Sequence, residues 1–405
     1  MTKQQDSNFS AIRPLRLLHV IASANPIGGG PIEGILRQNE ASAGWGTREI
    51  VTTDDPCSAF LQEIPLVVHA TGKTLPKSPL RPILRRYSYS PSITAWLREN
   101  ASNYDAVVVN GLWNFAAMAA ARALRKSKTP YFVFPHGMLD PWFKKQYPLK
   151  HVAKQIFWLF NEGPLLRKAA AVLFTTDEER LLARKSFWPL GYYELVVGYG
   201  TASPPIASPE QLAAFAERVP HLGARPYILF LSRIHPKKGC DMLIEAFSST
   251  CRLNTELDLV IAGPDSEGTL DKLKRRAAVL GISDRVHWPG MLQGNAKWGA
   301  FYGADAFVLP SHQENFGIVV AEALGCGKPV LITDKVNIWR EVHRAKAGLV
   351  AADTPQGILE MLREWDEMSD LEREDMGQAA RGLFRQQFDV RQSSLAMMQA
   401  IASRI

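Results

Sequence analysis

Cysteine is scarce. The 405 residues hold four, Cys57, Cys240, Cys251 and Cys326, far apart and never as Cys-x-x-Cys. That spacing argues against a disulfide framework and a cysteine-based zinc site, and it fits a reducing compartment. Long apolar runs are missing as well: no stretch approaches the roughly 20 residues needed to cross a bilayer. The first ten residues are polar and lack an apolar core, so no secretory signal is expected. The chain is therefore read as cytoplasmic, or at most peripheral on the cytoplasmic face of the inner membrane. It has no internal repeat and no low-complexity tract. Acidic residues are short in the first half: residues 1–200 carry 24 Lys and Arg against 15 Asp and Glu, and the remainder 23 against 25. Such an imbalance suggests an anionic partner for the first half.

What is present is globular. Hydrophobic residues make up 46% and charged residues 21%, enough for two cores. From Leu15 onward short apolar runs alternate with helical patterns. Strands are expected at 17–22, 49–53, 106–109, 131–134 and 171–175, with a helix over 32–40 and a capping box from Thr176 to Glu179. Residues 200–211, with three prolines and several small polar residues, read as a linker. The rhythm then restarts, with strands at 227–232, 257–262, 286–288, 306–310 and 329–333, helices at 240–249 and 318–325, and a helical end over 355–405. The expected architecture is α/β, two Rossmann-like doubly wound domains facing a central cleft, with ligands at the carboxyl ends of the strands. The domains are placed at 1–203 and 204–387, with a final helix over 388–405 packing back on the first.

The most specific chemical signal is the run His312-Gln-Glu314-Asn315-Phe316-Gly317-Ile318, followed by Glu322 and Gly325-Cys-Gly-Lys-Pro329. A strand ends, a polar loop carries Glu314, and a helix opens near Gly317 with free N–H groups that favour phosphate. Eight residues of helix rise about 12 Å, comparable to a sugar-diphosphate-ribose unit. One carboxylate can then hold sugar hydroxyls and the other a ribose, with phosphate between them. Two isolated glutamates on a surface helix would be solvated; the strand–loop–helix setting argues for a site.

Glu314 and Glu322 form the E-x7-E pattern, and their surroundings resemble the retaining glycosyltransferases of family 4, which have the GT-B fold. Upstream, Arg233-Ile-His-Pro-Lys-Lys238 follows a strand where that family neutralises the donor pyrophosphate. The resemblance implies transfer of a sugar from a nucleoside diphosphate sugar, with retention and without a metal or cofactor; two fixed cations replace the ion. The sequence has no Asp-x-Asp. By resemblance, Pro289 and Gly290 line the base pocket through backbone atoms, Gly29 and Gly30 approach the donor phosphates, and His136 lies beside the donor sugar. Catalytic roles fall to His136, Arg233, Lys238 and Glu314. Donor binding falls to Gly29, Gly30, Arg233, Lys238, Pro289, Gly290, Glu314, Asn315, Phe316, Gly317, Ile318 and Glu322. Asp140 and Lys144 are candidates for the acceptor. The acceptor is expected to be a glycan or a lipid-linked molecule in bacterial surface polysaccharide or lipopolysaccharide synthesis; nucleic acid is not expected as a partner. An epimerase or phosphorylase on the same fold, or a non-catalytic nucleotide-binding member, is the alternative. The basic, proline-rich segment 73–89, with Arg81, Arg85 and Arg86, is expected to meet an anionic membrane surface.

Overall fold

The computed structural model describes residues 14–42, 44–72, 79–250, 256–265 and 267–405. They divide into two compact units, Met1–Gly200 with Val390–Ile405, and Thr201–Asp389. The first unit holds β1 (Leu15–Ile21), β2 (Gly46–Thr52), β3 (Val67–Ala70), β4 (Ala106–Asn110), β5 (Tyr131–Phe134), β6 (Ala171–Phe174) and β7 (Glu194–Val196). These pair in the order β3-β2-β1-β4-β5-β6-β7, every pair parallel. The second unit holds β8 (Tyr227–Leu231), β9 (Asp258–Ala262), β10 (Val286–Gly290), β11 (Ala306–Leu309), β12 (Val330–Thr333) and β13 (Gly348–Ala351). Its order is β10-β9-β8-β11-β12-β13, again all parallel.

Central strands read as unbroken apolar runs because helices cover both faces. In β4, Ala106-Val-Val-Val-Asn110, all five residues are buried. On one face Val107 and Val109 pack with Phe115, Ala119 and Ala120 of the helix Phe115–Leu124. On the other, Ile21 and Ile50 pack with Ile32 and Ile35 of the helix Gly30–Ala41. The closing helix Val390–Ala402 lies beside Gly30–Ala41 and buries Met397, Met398 and Ile401. In each sheet the strand order reverses beside the first strand, between β1 and β4 and between β8 and β11. Such a reversal is where ligands sit in doubly wound sheets.

Three details depart from the sequence expectations. The edge strands β3, β7 and β13 were not anticipated. Residues 201–211 are no free linker. Pro204 packs on Gly325, Tyr302 donates its hydroxyl to the Pro205 carbonyl, and Ser208 forms a capping box for the helix Pro209–Ala216. Thr176 does cap the helix Asp177–Ala183, but Glu179 does not return the bond. Its buried carboxylate instead accepts from the Thr175 N–H and hydroxyl, both at 2.7 Å, and from the Gly137 N–H at 2.6 Å.

Candidate functional site

In the second unit, the loop after β8 carries Arg233 and Lys238, and the loop after β11 carries His312 to Gly317. The two are stitched together. The His312 N–H donates to the Lys237 carbonyl at 2.9 Å, and the Ser311 hydroxyl reaches the same oxygen at 3.1 Å. Gly239 has φ +68°, and a Cβ there would collide with the Pro310 carbonyl, so only glycine lets the loops approach this closely. Glu314 is pinned by its backbone to the loop after β12, donating to Lys335 and accepting from Asn337.

These constraints bring Lys238 and Glu314 into an ion pair, although they lie 76 residues apart. Lys238 is buried, its side chain 10% exposed, while Arg233 is exposed. Gly317 takes φ +72° and opens the helix Ile318–Gly325 without a capping side chain. Val320 and Ala321 donate to the Gly317 carbonyl at 2.8 and 3.2 Å, which leaves the N–H groups of Ile318 and Val319 for an outside acceptor. Asn315 accepts from the Asn337 amide at 3.2 Å, and Phe316 is buried with its ring edge-on to Phe388.

Glu322 sits in the second turn and is buried. One carboxylate oxygen, Oε1, accepts from Lys297 at 2.8 Å; the other, Oε2, is buried without a partner among the described residues. An orphaned buried carboxylate oxygen is costly and calls for a hydrogen-bond donor. Lys297, on the helix Gly294–Gly303, was missed by the sequence reading. So was the pairing of His312 with Asp353 at 2.7 Å, which is the main cause of the raised His312 pKa. Neither contact has a sequence signal, since both join distant elements. At β10, the Pro289 carbonyl accepts from Arg218 at 2.9 Å and the Gly290 carbonyl from the Gly263 N–H at 2.8 Å. Both carbonyls are thus engaged within the unit.

In the first unit, Gly29 has φ +80° and ψ −144°, and no heavy atom stands within 4 Å of a Cβ built on Gly29 or Gly30. The turn has open space beside it at the start of the helix Gly30–Ala41. His136 follows β5 at φ +52°, a strained value for a residue with a side chain. The Glu179 carboxylate holds the next N–H, that of Gly137. The His136 ring stacks on Phe134 at 4.2 Å, and its Nε2 lies 3.1 Å from Asn110 Oδ1. Burial draws the imidazole down to about 3, so it is neutral at ordinary pH. Asn110 donates from Nδ2 to Val108 and faces Nδ1 of the buried His19, so its Oδ1 accepts from His136 Nε2–H. Tyr199 ties the two turns: its hydroxyl donates to the Gly30 carbonyl at 2.7 Å, and its ring stands edge-on to His136 at 6.3 Å. Asn110 and Tyr199 had no motif to announce them, and Glu179 was read only as the second half of a capping box. Asp140 caps the Trp142 N–H at 2.7 Å, and Lys144 is exposed.

Residues 38–196 match the family model described as glycosyl transferase 4-like domain, and residues 215–383 match that of glycosyl transferases group 1. The chain belongs to the group 1 glycosyltransferases. Among its relatives, mannosylfructose-phosphate synthase of Agrobacterium fabrum is 27% identical over 280 residues, which cover 63% of this chain and 59% of that one. A D-inositol 3-phosphate glycosyltransferase of Jonesia denitrificans is 29% identical over 221 residues, covering 50% and 51%. The chain thus spans only 59% and 51% of these two relatives' length. Of solved structures, Anabaena HepE in complex with UDP and glucose superposes with a TM-score of 0.73 at 19% identity, over 96% of this chain and 100% of that one. Sucrose-phosphate synthase of Thermosynechococcus elongatus gives 0.72 at 18%, over 96% and 98%. At these identities the likeness establishes the GT-B fold.

Proposed function

We propose that the protein transfers a sugar from a nucleoside diphosphate sugar to a glycan or lipid-linked acceptor, with retention and without a metal ion. The observation that carries this reading is the Lys238–Glu314 pair beside an uncapped helix start, with Glu322 behind it holding one oxygen unpartnered. The donor's diphosphate meets Lys238, Arg233 and the N–H groups at Ile318, while a ribose hydroxyl donates to Glu322 Oε2. Lys238 leaves Glu314 for the diphosphate, and Glu314 turns to the sugar hydroxyls. The cations and helix start then stabilise charge as the sugar–phosphate bond breaks. The acceptor attacks from the side the diphosphate leaves, and the departing phosphate oxygen takes its proton. No carboxylate nucleophile is needed, so catalysis is positioning plus charge stabilisation. A neutral His136 serves as a hydrogen-bonding group at the sugar, not as a cation.

Complexes of HepE with UDP and with UDP-glucose support a uridine donor. On the acceptor side, a hollow of about 460 Å³ at the ends of β1, β2 and β3 is lined by Ser23, Asp54, Asp55, Arg81, Arg85 and Tyr89, with Asp54 accepting from Ser23, Thr52 and the Ala24 N–H and Asp55 from the Cys57 N–H. Its two arginines suit an acceptor that carries phosphate or another anion, as the names of the phosphate-linked relatives also suggest. The role in surface polysaccharide or lipopolysaccharide synthesis, at the cytoplasmic face of the inner membrane, is part of this reading. The test is a thermal-shift screen of nucleotide sugars, followed by product analysis with the labelled donor that stabilises most. A new glycoside with the donor's anomeric configuration is expected; an isomerised donor or a free sugar phosphate overturns the assignment.

A further inference from the structure

The helix Pro148–Phe157 is turned inside out. None of its residues is buried, and its apolar side chains face solvent: Leu149 is 86% exposed, Val152 59% and Ile156 56%. At 100° per residue these three fall within an arc of about 60°. The π-helical turn that follows, Trp158–Glu162, continues the stripe with Leu159 and with Phe160, 76% exposed. The opposite side of the helix is anchored. Trp158 is buried and stacks on Phe187 at 5.0 Å, and His151 stacks on the same ring at 4.8 Å. Gln155 holds the backbone of Trp188, a residue that is itself 76% exposed. An ordinary surface helix points its apolar stripe at the core; here the core is met by other residues, and a contiguous apolar patch is left uncovered.

Charge says what covers it. Residues 141–161 include Lys144, Lys150 and Lys154 and no Asp or Glu, and Glu162, which closes the π-helical turn, is buried. Beside Phe160 opens a hollow of about 1020 Å³ lined by Arg98, Arg122, Arg125, Lys126 and Lys168, and by no carboxylate. None of these five makes an ion pair among the described residues. An apolar ridge bordered by unpaired cations, with an exposed tryptophan at its edge, matches a layer of anionic headgroups over acyl chains.

We propose that this face, centred on the helix Pro148–Phe157, docks the first unit on an anionic lipid surface. Leu149, Val152, Ile156 and Phe160 enter the headgroup boundary while the cations of the hollow bind lipid phosphates. The sequence alone had placed this contact on 73–89. Residues 73–78 lie outside the described residues, and the helix Arg81–Arg86 adjoins the stripe through Tyr87, whose ring stands edge-on to Phe157 at 6.0 Å. The inference does not depend on the transfer chemistry, because none of the stripe residues belongs to the donor site.

The experiment is co-sedimentation of the full chain with phosphatidylcholine vesicles, with and without phosphatidylglycerol, at low and high salt. Binding is expected only with phosphatidylglycerol, weakening as salt rises. The variants L149S/V152S/I156S and R122S/R125S/K126S should each lose at least tenfold in affinity while keeping the wild-type thermal shift with nucleotide sugar. Should either triple variant unfold, the single changes Phe160→Ser and Arg125→Ser carry the test. Equal binding to neutral vesicles, or none to anionic ones at low salt, overturns the proposal. So does a stripe-dependent dimer in light scattering, which would make a second copy of the chain the occupant.

Discussion

Lys238 and Glu314 hold each other, and that has consequences for their replacement. Glu314→Gln removes the negative charge and leaves a mostly buried ammonium without its partner, so a modest loss of stability accompanies the loss of function. The expected outcome is a fall in kcat/KM of about 100-fold or more for Glu314→Gln and for Lys238→Met, in the range seen when one charge-stabilising group is removed. Circular dichroism should remain native; unfolding, or near-wild-type transfer, would remove these residues from the site. Glu322→Gln is expected to act on donor KM more than on kcat, since the ribose contact is present before and during the reaction. Glu162 offers a pH-dependent test. Burial lifts its carboxyl to about 7, against a bond from the Trp113 N–H and the charge of Lys154 that lower it. With the folded pKa above the unfolded one, the folded state holds an extra proton between about pH 4.5 and 7, so stability falls as pH rises through that window. Glu162→Gln should flatten this fall in denaturant titrations and raise stability at pH 8 by up to a few kcal/mol. A variant with the wild-type slope would show the group to be ionised throughout.

At the scale of elements, legibility followed burial. β4 and β11, buried on both faces, announce themselves as apolar runs. The strands that escaped notice, β3, β7 and β13, all lie at sheet edges, where few or no residues are fully buried and the pattern fades into that of a loop. The strand–loop–helix around Glu314 was legible because a left-handed Gly317 and an apolar helix leave local marks. The closing helix was legible as a helix, but its interior partners were not: Arg48, buried in β2, donates to Met398 of that helix. Ile401, fully buried there, is expected to cost the first unit about 2–5 kcal/mol on change to alanine. Calorimetry should show the transition of that unit moving while nucleotide-sugar affinity stays. A shift of the second unit's transition instead would place the helix elsewhere.

Across the whole molecule, two all-parallel sheets with the same reversal of strand order each present loops from their carboxyl ends. In the proposed mechanism cations do the work of a divalent ion, so transfer should persist in excess EDTA. Loss of activity with the chelator, restored by magnesium or manganese, would require a metal at the diphosphate. Among the described residues no helix is long and apolar enough to cross a membrane, which leaves the exposed stripe of Pro148–Phe157 as the feature to examine for lipid contact.

Period and punctuation by themselves determined the class of fold, the order of the central elements and the stretch that carries Glu314 and Glu322, because these follow from local rules of burial, turns and helix starts. Only the tertiary structure decided which groups meet. The Lys238–Glu314 pair, the lone oxygen of Glu322 beside Lys297, and the Asn110–His136 bond join residues 25 to 76 positions apart. The outward stripe at Leu149, Val152 and Ile156 is of the same kind. Its helical period is visible in the chain, but whether that period faces the core or the solvent depends on what packs opposite, and here Trp158 and Phe187 take the inner side.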